Sequence, residues 1–241
     1  MIADRHTPLY EIDFGAGAVL AIDKPANMTS FGVVHRVRRW TGCRKVGHAG
    51  TLDPMATGVL MVCTGPATKR VSELMDLEKE YEGTVELGIT TDTDDAEGKV
   101  TGRSEVPAFS REDILPILQE FQGDIDQIPP MYSAIKISGR RLYQLARRGK
   151  VIPRQPRKVT IHEITLLDWT SPLLSVRIRC SKGTYIRALA RDIGGRCGTG
   201  GTLKTLRRTR LGPHRADDAY TLDTLREWLV VQHDERISIG R

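Results

Sequence analysis

Gly47-His48-Ala49-Gly50-Thr51-Leu52-Asp53-Pro54-Met55-Ala56-Thr57-Gly58-Val59-Leu60 holds three glycines and a proline, too many breakers for a regular helix or a central strand. The residues that follow, Val59-Leu60-Met61-Val62-Cys63-Thr64, form a β-branched apolar run that reads as a buried strand. A glycine-rich loop therefore delivers one carboxylate, Asp53, to the mouth of a sheet, with His48 five residues upstream. The plainer reading of Asp53-Pro54 is a turn in which the aspartate bonds its own backbone.

Upstream of this loop, Val19-Leu20-Ala21-Ile22-Asp23-Lys24-Pro25 is a short strand stopped by proline. Ser30 is a good N-cap for a helix over residues 31–41, which Gly42 ends. Val33, Val34, Val37 and Trp40 are expected to pack inward, leaving His35, Arg36 and Arg39 largely exposed. Downstream, a helix is expected over about residues 67–79. Tyr81, Gly83, Val85, Leu87 and Ile89 then alternate with Glu82, Thr84, Glu86 and Gly88, the period of a strand.

Ser110 and Asp113 have capping-box spacing, ahead of a helix that Gly123 closes. Gln127-Ile-Pro-Pro-Met-Tyr-Ser-Ala-Ile-Lys136 opens a proline-started arm. The arm continues into a short helix whose apolar Leu142 and Leu145 lie among Arg140, Arg141, Arg147 and Arg148. Residues 151–158 return it to the body. Two strands, about 159–167 and 173–180, lead through Lys182-Gly183 into a helix over 184–194. Tyr185 and Arg187 sit in its first turn, where they can point to the open end of the sheet. A last helix is expected from residue 221 to about 231.

Two patterns look like sites and are not. An EF-hand starting at Asp92 would need glycine at position six and glutamate at position twelve. Those positions hold Glu97 and Arg103, so the segment is an acidic turn. Gly198-Thr199-Gly200-Gly201 has neither nucleotide-loop spacing, and no strand precedes it in this reading.

With 241 residues, 39% hydrophobic and 27% charged, the chain suits one large domain, or a domain with an appendage, of a soluble protein. No apolar run reaches the ~20 residues a membrane span needs, and residues 1–8 lack a signal-peptide layout. Cys43, Cys63, Cys180 and Cys197 are scattered and read as reduced thiols of a cytoplasmic protein. The formal charge is +6, and the basic residues gather at Arg36–Arg39, Arg140–Lys150 and Lys204–Arg210, away from the acidic stretches. That distribution is an electrostatic footprint for nucleic acid.

Four strings carry a family resemblance. The Asp53 loop resembles G-H-x-G-x-L-D-P-x-A-T-G-V-L, the catalytic loop of the TruB family of tRNA pseudouridine synthases, at every fixed position. Residues 129–149 match that family's P-P-x-Y-S-A-x-K-x-x-G-x-x-L-Y-x-x-A-R-x-G, and residues 180–194 closely match its C-S-x-G-T-Y-I-R-x-L-x-x-D-x-G. Leu203 to Pro213 matches L-x-x-L-R-R-x-x-x-G-P, and the opening L-x-I-D-K-P around Lys24 is similar too. The resemblance covers roughly residues 18–214. It implies an α+β pseudouridine synthase fold, a long mixed β-sheet flanked by helices, with the active site in a cleft across it. Residues 1–214 would be the catalytic domain, with an RNA-gripping thumb inserted at about 124–158. Residues 215–241 would be a short helical tail, because the 27 residues after His214 are too few for the RNA-binding PUA domain of many bacterial members.

The same resemblance implies the chemistry: isomerisation of uridine to pseudouridine at position 55, in the T-loop of tRNA, with Asp53 as nucleophile on a flipped-out base. The N1–C1′ bond breaks and C5 is joined to C1′ without redox change or an imported group, so no cofactor is called for. A carboxylate able to attack or to stabilise an oxocarbenium-like centre suffices, provided water is excluded. Tyr81 would stack on the uracil, although a tyrosine there is also ordinary strand-end packing. Tyr185, Arg187 and Leu206 would join it on the substrate, with Arg187 as ion partner to Asp53. His48 would brace the space the base leaves, or be a loop histidine bonded to backbone. Lys24, Lys69, Lys136, Arg140, Arg141, Arg147 and Arg148 would contact RNA. The expected partner is the tRNA T-arm alone, with a monomeric enzyme needing no protein partner and no membrane. Two alternatives stay open: a tRNA-binding or folding protein without catalysis, and an RNA-guided synthase.

Overall fold

The first part of the chain folds as β1 (Ile2–Ala3), β2 (Val19–Lys24), α1 (Ser30–Thr41), β3 (Val46–Ala49), β4 (Thr57–Thr64) and α2 (Val71–Asp76). This is a computed structural model, which describes residues 2–133, 136–137, 140–146 and 152–229. The middle runs through β5 (Lys79–Leu87), β6 (Ile89–Thr91), β7 (Val100–Arg103), α3 (Arg111–Gln119) and β8 (Gly123–Gln127). The arm carries β9 (Lys136–Ile137), β10 (Arg140–Arg141) and α4 (Leu142–Ala146). After it come β11 (Arg157–Thr170), β12 (Leu173–Cys180), α5 (Ile186–Arg196), β13 (Gly201–Leu211) and β14 (His214–Arg215). Residues 222–229 are helical.

The chain divides into two compact units, Met1–Glu80 with Arg207–Arg241, and Tyr81–Leu206. In the first, the strand order is β1-β2-β4-β13, and β3 also pairs with β4. β2 runs antiparallel to β4 while β13 runs parallel to it, so the sheet is mixed. Its core stacks Val19, Ala21, Val59, Met61 and Cys63 against Leu74 and Leu211. α1 buries Val33, Val34 and Val37 as their 3.6-residue spacing requires. Trp40 stays half-exposed, contrary to the inward position expected for it.

In the second unit the order is β13-β5-β12-β11-β8. β5 shows strict alternation, with Tyr81, Gly83, Val85 and Leu87 on its buried face. Ser110 and Asp113 make the expected reciprocal capping box at the start of α3. α3 packs on β11 and on α5.

Three expectations are corrected. The helix over 67–79 is a 3-10 turn, Gly65–Arg70, followed by the short α2. It stops early because buried Lys79 turns its ammonium back onto the carbonyls of Met75 and Leu77 and then begins β5. The N-cap of α1 is Thr29, whose hydroxyl accepts from the Gly32 amide, because Ser30 is engaged elsewhere. The glycines at 198–201, read above as no nucleotide loop, lead into β13: a Cβ on Gly194 would lie 2.2 Å from the Gly201 nitrogen, so the glycines let α5 and β13 meet backbone to backbone. Finally, residues 47–49 of the supposed loop belong to strand β3, which pairs antiparallel with β4.

Candidate active site

Asp53 lies on the long connection of the β3–β4 hairpin, half-buried. Asp53-Pro54-Met55-Ala56 is a turn, closed by the Ala56 amide donating to the Asp53 carbonyl at 3.1 Å. The turn is fastened on every side. Ser30, 2% exposed, receives the Leu52 amide at 2.8 Å and donates its hydroxyl to the Leu52 carbonyl at 2.9 Å. The Met28 amide donates to the Pro54 carbonyl. Arg208, 1% exposed, donates Nε to the Val59 carbonyl at 2.7 Å and Nη2 to the Gly50 carbonyl at 3.1 Å. One buried guanidinium thus holds the backbone before and after the aspartate. Nothing in the local sequence marks Arg208 for this, and its partners are 149 and 158 residues away.

Lys24, expected to contact RNA, is fully buried instead. Its Nζ donates to the carbonyls of Pro25, Met28 and Pro54 at 2.8, 2.6 and 3.1 Å. A buried ammonium needs partners for its donors, and it meets these carbonyls of the β2–α1 connection and of the Asp53 turn rather than a phosphate. Lys24 is therefore a brace of the Asp53 turn. His48 lies in β3 with its Nδ1 buried and without a hydrogen-bond partner among the described residues. Burial, and then the positive charge of Arg208, hold its pKa below the usual histidine value, so the ring is neutral. That disposes of the backbone-bonded alternative for Nδ1. Lys69 remains exposed on the 3-10 turn.

The other expected substrate residues belong to the second unit. Tyr81 is 8% exposed on the buried face of β5. Leu206 lies beside that face, its Cδ1 3.4 Å from where a Cβ on Gly83 would stand. Tyr185 is the N-cap of α5 rather than a first-turn residue. Buried Gln127 pins it, accepting its amide at 2.8 Å and donating to its carbonyl at 3.1 Å. Arg187 is buried, with Asp95 at 3.2 Å, the Thr93 carbonyl at 2.9 Å and the Tyr132 carbonyl at 2.8 Å.

The acidic turn is therefore no solvated loop. Asp95 partners Arg187, and Asp94, held at φ 61°, partners Arg191 at 3.0 Å. Arg191 also donates to the Ile128 carbonyl, while Arg154 donates to the Pro129 carbonyl, so both sides of the arm's root are tied to one ionic cluster. Burial raises the pKa of Asp94, and Arg191, Arg187 and Arg154 pull it back. In the arm, β9 and β10 form a two-stranded hairpin, with Arg140 opposite Ile137 and Arg141 opposite Lys136. Arg147 and Arg148 lie outside the described residues.

Solved structures of similar fold include two multi-component complexes. One, described as a Cbf5-Nop10-Gar1 complex, aligns with TM-score 0.69 at 32% identity over 90% of this chain; the chain spans 55% of that one. Another, an H/ACA RNP bound to a substrate RNA containing 2′-deoxyuridine, gives TM-score 0.70 at 26% identity over 95% of this chain and 58% of its own. The fold is that of a pseudouridine synthase, a mixed β-sheet with flanking helices. The sequence narrows it. Residues 38–186 match the model for the TruB family pseudouridylate synthase N-terminal domain, and residues 187–238 that for the tRNA pseudouridylate synthase B C-terminal domain. Relatives named tRNA pseudouridine synthase B include one from Phocaeicola vulgatus, 45% identical over 94% of this chain and 99% of its own length. One from Desulfotalea psychrophila is 50% identical over 90% and 91%, and one from Francisella philomiragia 47% over 87% and 70%. The chain belongs to the TruB family, and it is an isomerase acting on uridine in tRNA. No helix of the described residues is long and apolar enough to cross a membrane.

Proposed function

We propose that the enzyme isomerises uridine 55 in the T-loop of tRNA, with Asp53 as the nucleophile on an extruded base. The observation that carries this reading is the fastening of the Asp53 turn by Lys24, Ser30 and Arg208. A carboxylate that must meet a reacting ring gains most from a backbone that does not move. In the reaction the N1–C1′ bond breaks, a C5–C1′ bond forms, and the proton lost from C5 is balanced by one gained at N1. Tyr81 stacks on the uracil, with Leu206, Tyr185 and Arg187 as the other substrate residues. His48, neutral and unengaged at Nδ1, fills the space from which the base is drawn. The lysines and arginines of the arm, Lys136, Arg140, Arg141, Arg147 and Arg148, with Lys69, hold the backbone.

The test is incubation with an unmodified tRNA transcript, followed by chemical mapping of pseudouridine. Pseudouridine at position 55, with no guide RNA or partner protein added, is the expected result. Modification elsewhere, or none, overturns the assignment, and a requirement for a guide would favour the RNA-guided reading.

A further inference from the structure

The first unit contains a concavity of about 900 Å³, and its lining is cationic. The exposed side of α1 supplies His35, Arg36, Arg39 and Trp40; β13 supplies Arg207; the helix at 222–229 supplies Arg226. Two carboxylates, Asp23 and Asp223, share the lining. Asp23 is matched by Arg207 in a two-pronged pair at 3.0 and 2.9 Å. Arg36 finds only the Met28 sulfur, at 3.2 Å, and among the described residues no carboxylate lies within ion-pair distance of Arg36, Arg39 or Arg226. Guanidinium groups from separate elements repel one another unless an anion sits among them, and a concave wall concentrates their field. Their planar forks match phosphate oxygens, and a half-exposed tryptophan beside them offers a face on which a base can stack.

We infer that this cleft is a second RNA-backbone site, built from none of the arm's residues, in which Arg36, Arg39 and Arg226 grip phosphates of the substrate tRNA. The inference rests on the reading of the protein as a tRNA-modifying enzyme. It adds to that reading a contact surface that leaves the chemistry untouched: these arginines anchor the RNA and take no part in turning the base.

The experiment compares wild type with the Arg36→Ala/Arg39→Ala and Arg36→Lys/Arg39→Lys pairs, and with Arg226→Ala. All three arginines are exposed, so folding should survive, and a melting curve checks it. Binding of unmodified tRNA is measured by anisotropy across a salt series, and pseudouridine formation by single turnover at saturating enzyme. Loss of two phosphate contacts should flatten the slope of log affinity against log salt by about 1.4–1.8. Affinity near physiological salt should fall about tenfold or more, with the saturated rate within about twofold of wild type. The lysine pair should recover most of the slope, and Arg226→Ala should lose about half as much as the double variant. Unchanged affinity and slope would overturn the inference and leave the cleft to some other acidic partner, such as a protein segment. Weaker binding with an unchanged slope would overturn it too, because the loss would not be of phosphate contacts. If instead the wild type makes no pseudouridine at all, the functional reading fails while the binding measurement still decides the cleft.

Discussion

A Cβ placed on Gly58 would stand 2.1 Å from the carbonyl oxygen of Arg208 and 2.7 Å from its amide nitrogen. The two residues are register partners in β4 and β13, and Gly58 holds φ 105°, a conformation side chains avoid. The close approach seats Arg208 where its side chain can reach both ends of the Asp53 connection. Gly58→Ala has no flexible neighbour to displace, only backbone. It should cost about 2 kcal/mol or more, a fall in Tm of roughly 4–8 °C for a chain of this size. A calorimetric scan checks it; an unchanged Tm would mean that β13 shifts freely.

Arg208→Met should act on the same loop from the other side. It strands the carbonyls of Gly50 and Val59, so about 2–5 kcal/mol of stability should be lost. Under conditions where the variant remains folded, kcat should fall while tRNA affinity changes little, because the turn that carries Asp53 loses its fastening. Equal losses in kcat and affinity would show general unfolding rather than a displaced carboxylate.

Asp53→Asn is nearly isosteric and removes only the charge. Turnover should drop by more than about a hundredfold, at least ~2.7 kcal/mol of transition-state stabilisation, with tRNA binding within a few fold. Higher residual activity would mean that another group carries the reaction.

The Asp94–Arg191 pair should matter for binding rather than chemistry. Arg191 joins the acidic turn to the carbonyl of Ile128 at the start of the arm. Arg191→Met should raise KM for tRNA about fivefold, near 1 kcal/mol, and leave kcat within about twofold. Asp94→Asn should do the same more weakly, and steady-state kinetics on both variants separate the two effects. A change confined to kcat would place the pair in the reaction instead.

Acid should weaken the fold through His48. Its folded-state pKa lies below the ordinary 6.5, and that of His214 is lowered as well. Above pH 6.5 neither state binds the proton. As pH falls through 6.5 the unfolded chain is protonated while the folded one is not, so stability is lost on that side. The drop in Tm from pH 7.5 to 5.5 should be smaller in His48→Gln than in wild type, His214 supplying part of what remains. An equal drop in both would show that His48 titrates normally.

Much of this protein was legible in its residues taken in order. Breakers and apolar periods marked β4, the alternating face of β5, the capping box of α3 and the connection that carries Asp53, because each depends on neighbours a few residues apart. The four motif strings marked the family for the same reason. Other features were decided only by the tertiary structure. Lys24 and Arg208 are both charged and looked like surface residues, yet each is buried where carbonyls from separate strands and turns converge. Ser30 left its expected cap for Leu52, and the acidic turn became the partner of Arg187 and Arg191. A charged side chain can be buried only where several acceptors or an opposite charge meet it at hydrogen-bond distance. That meeting is made by strands far apart in the chain, so no local pattern carries it.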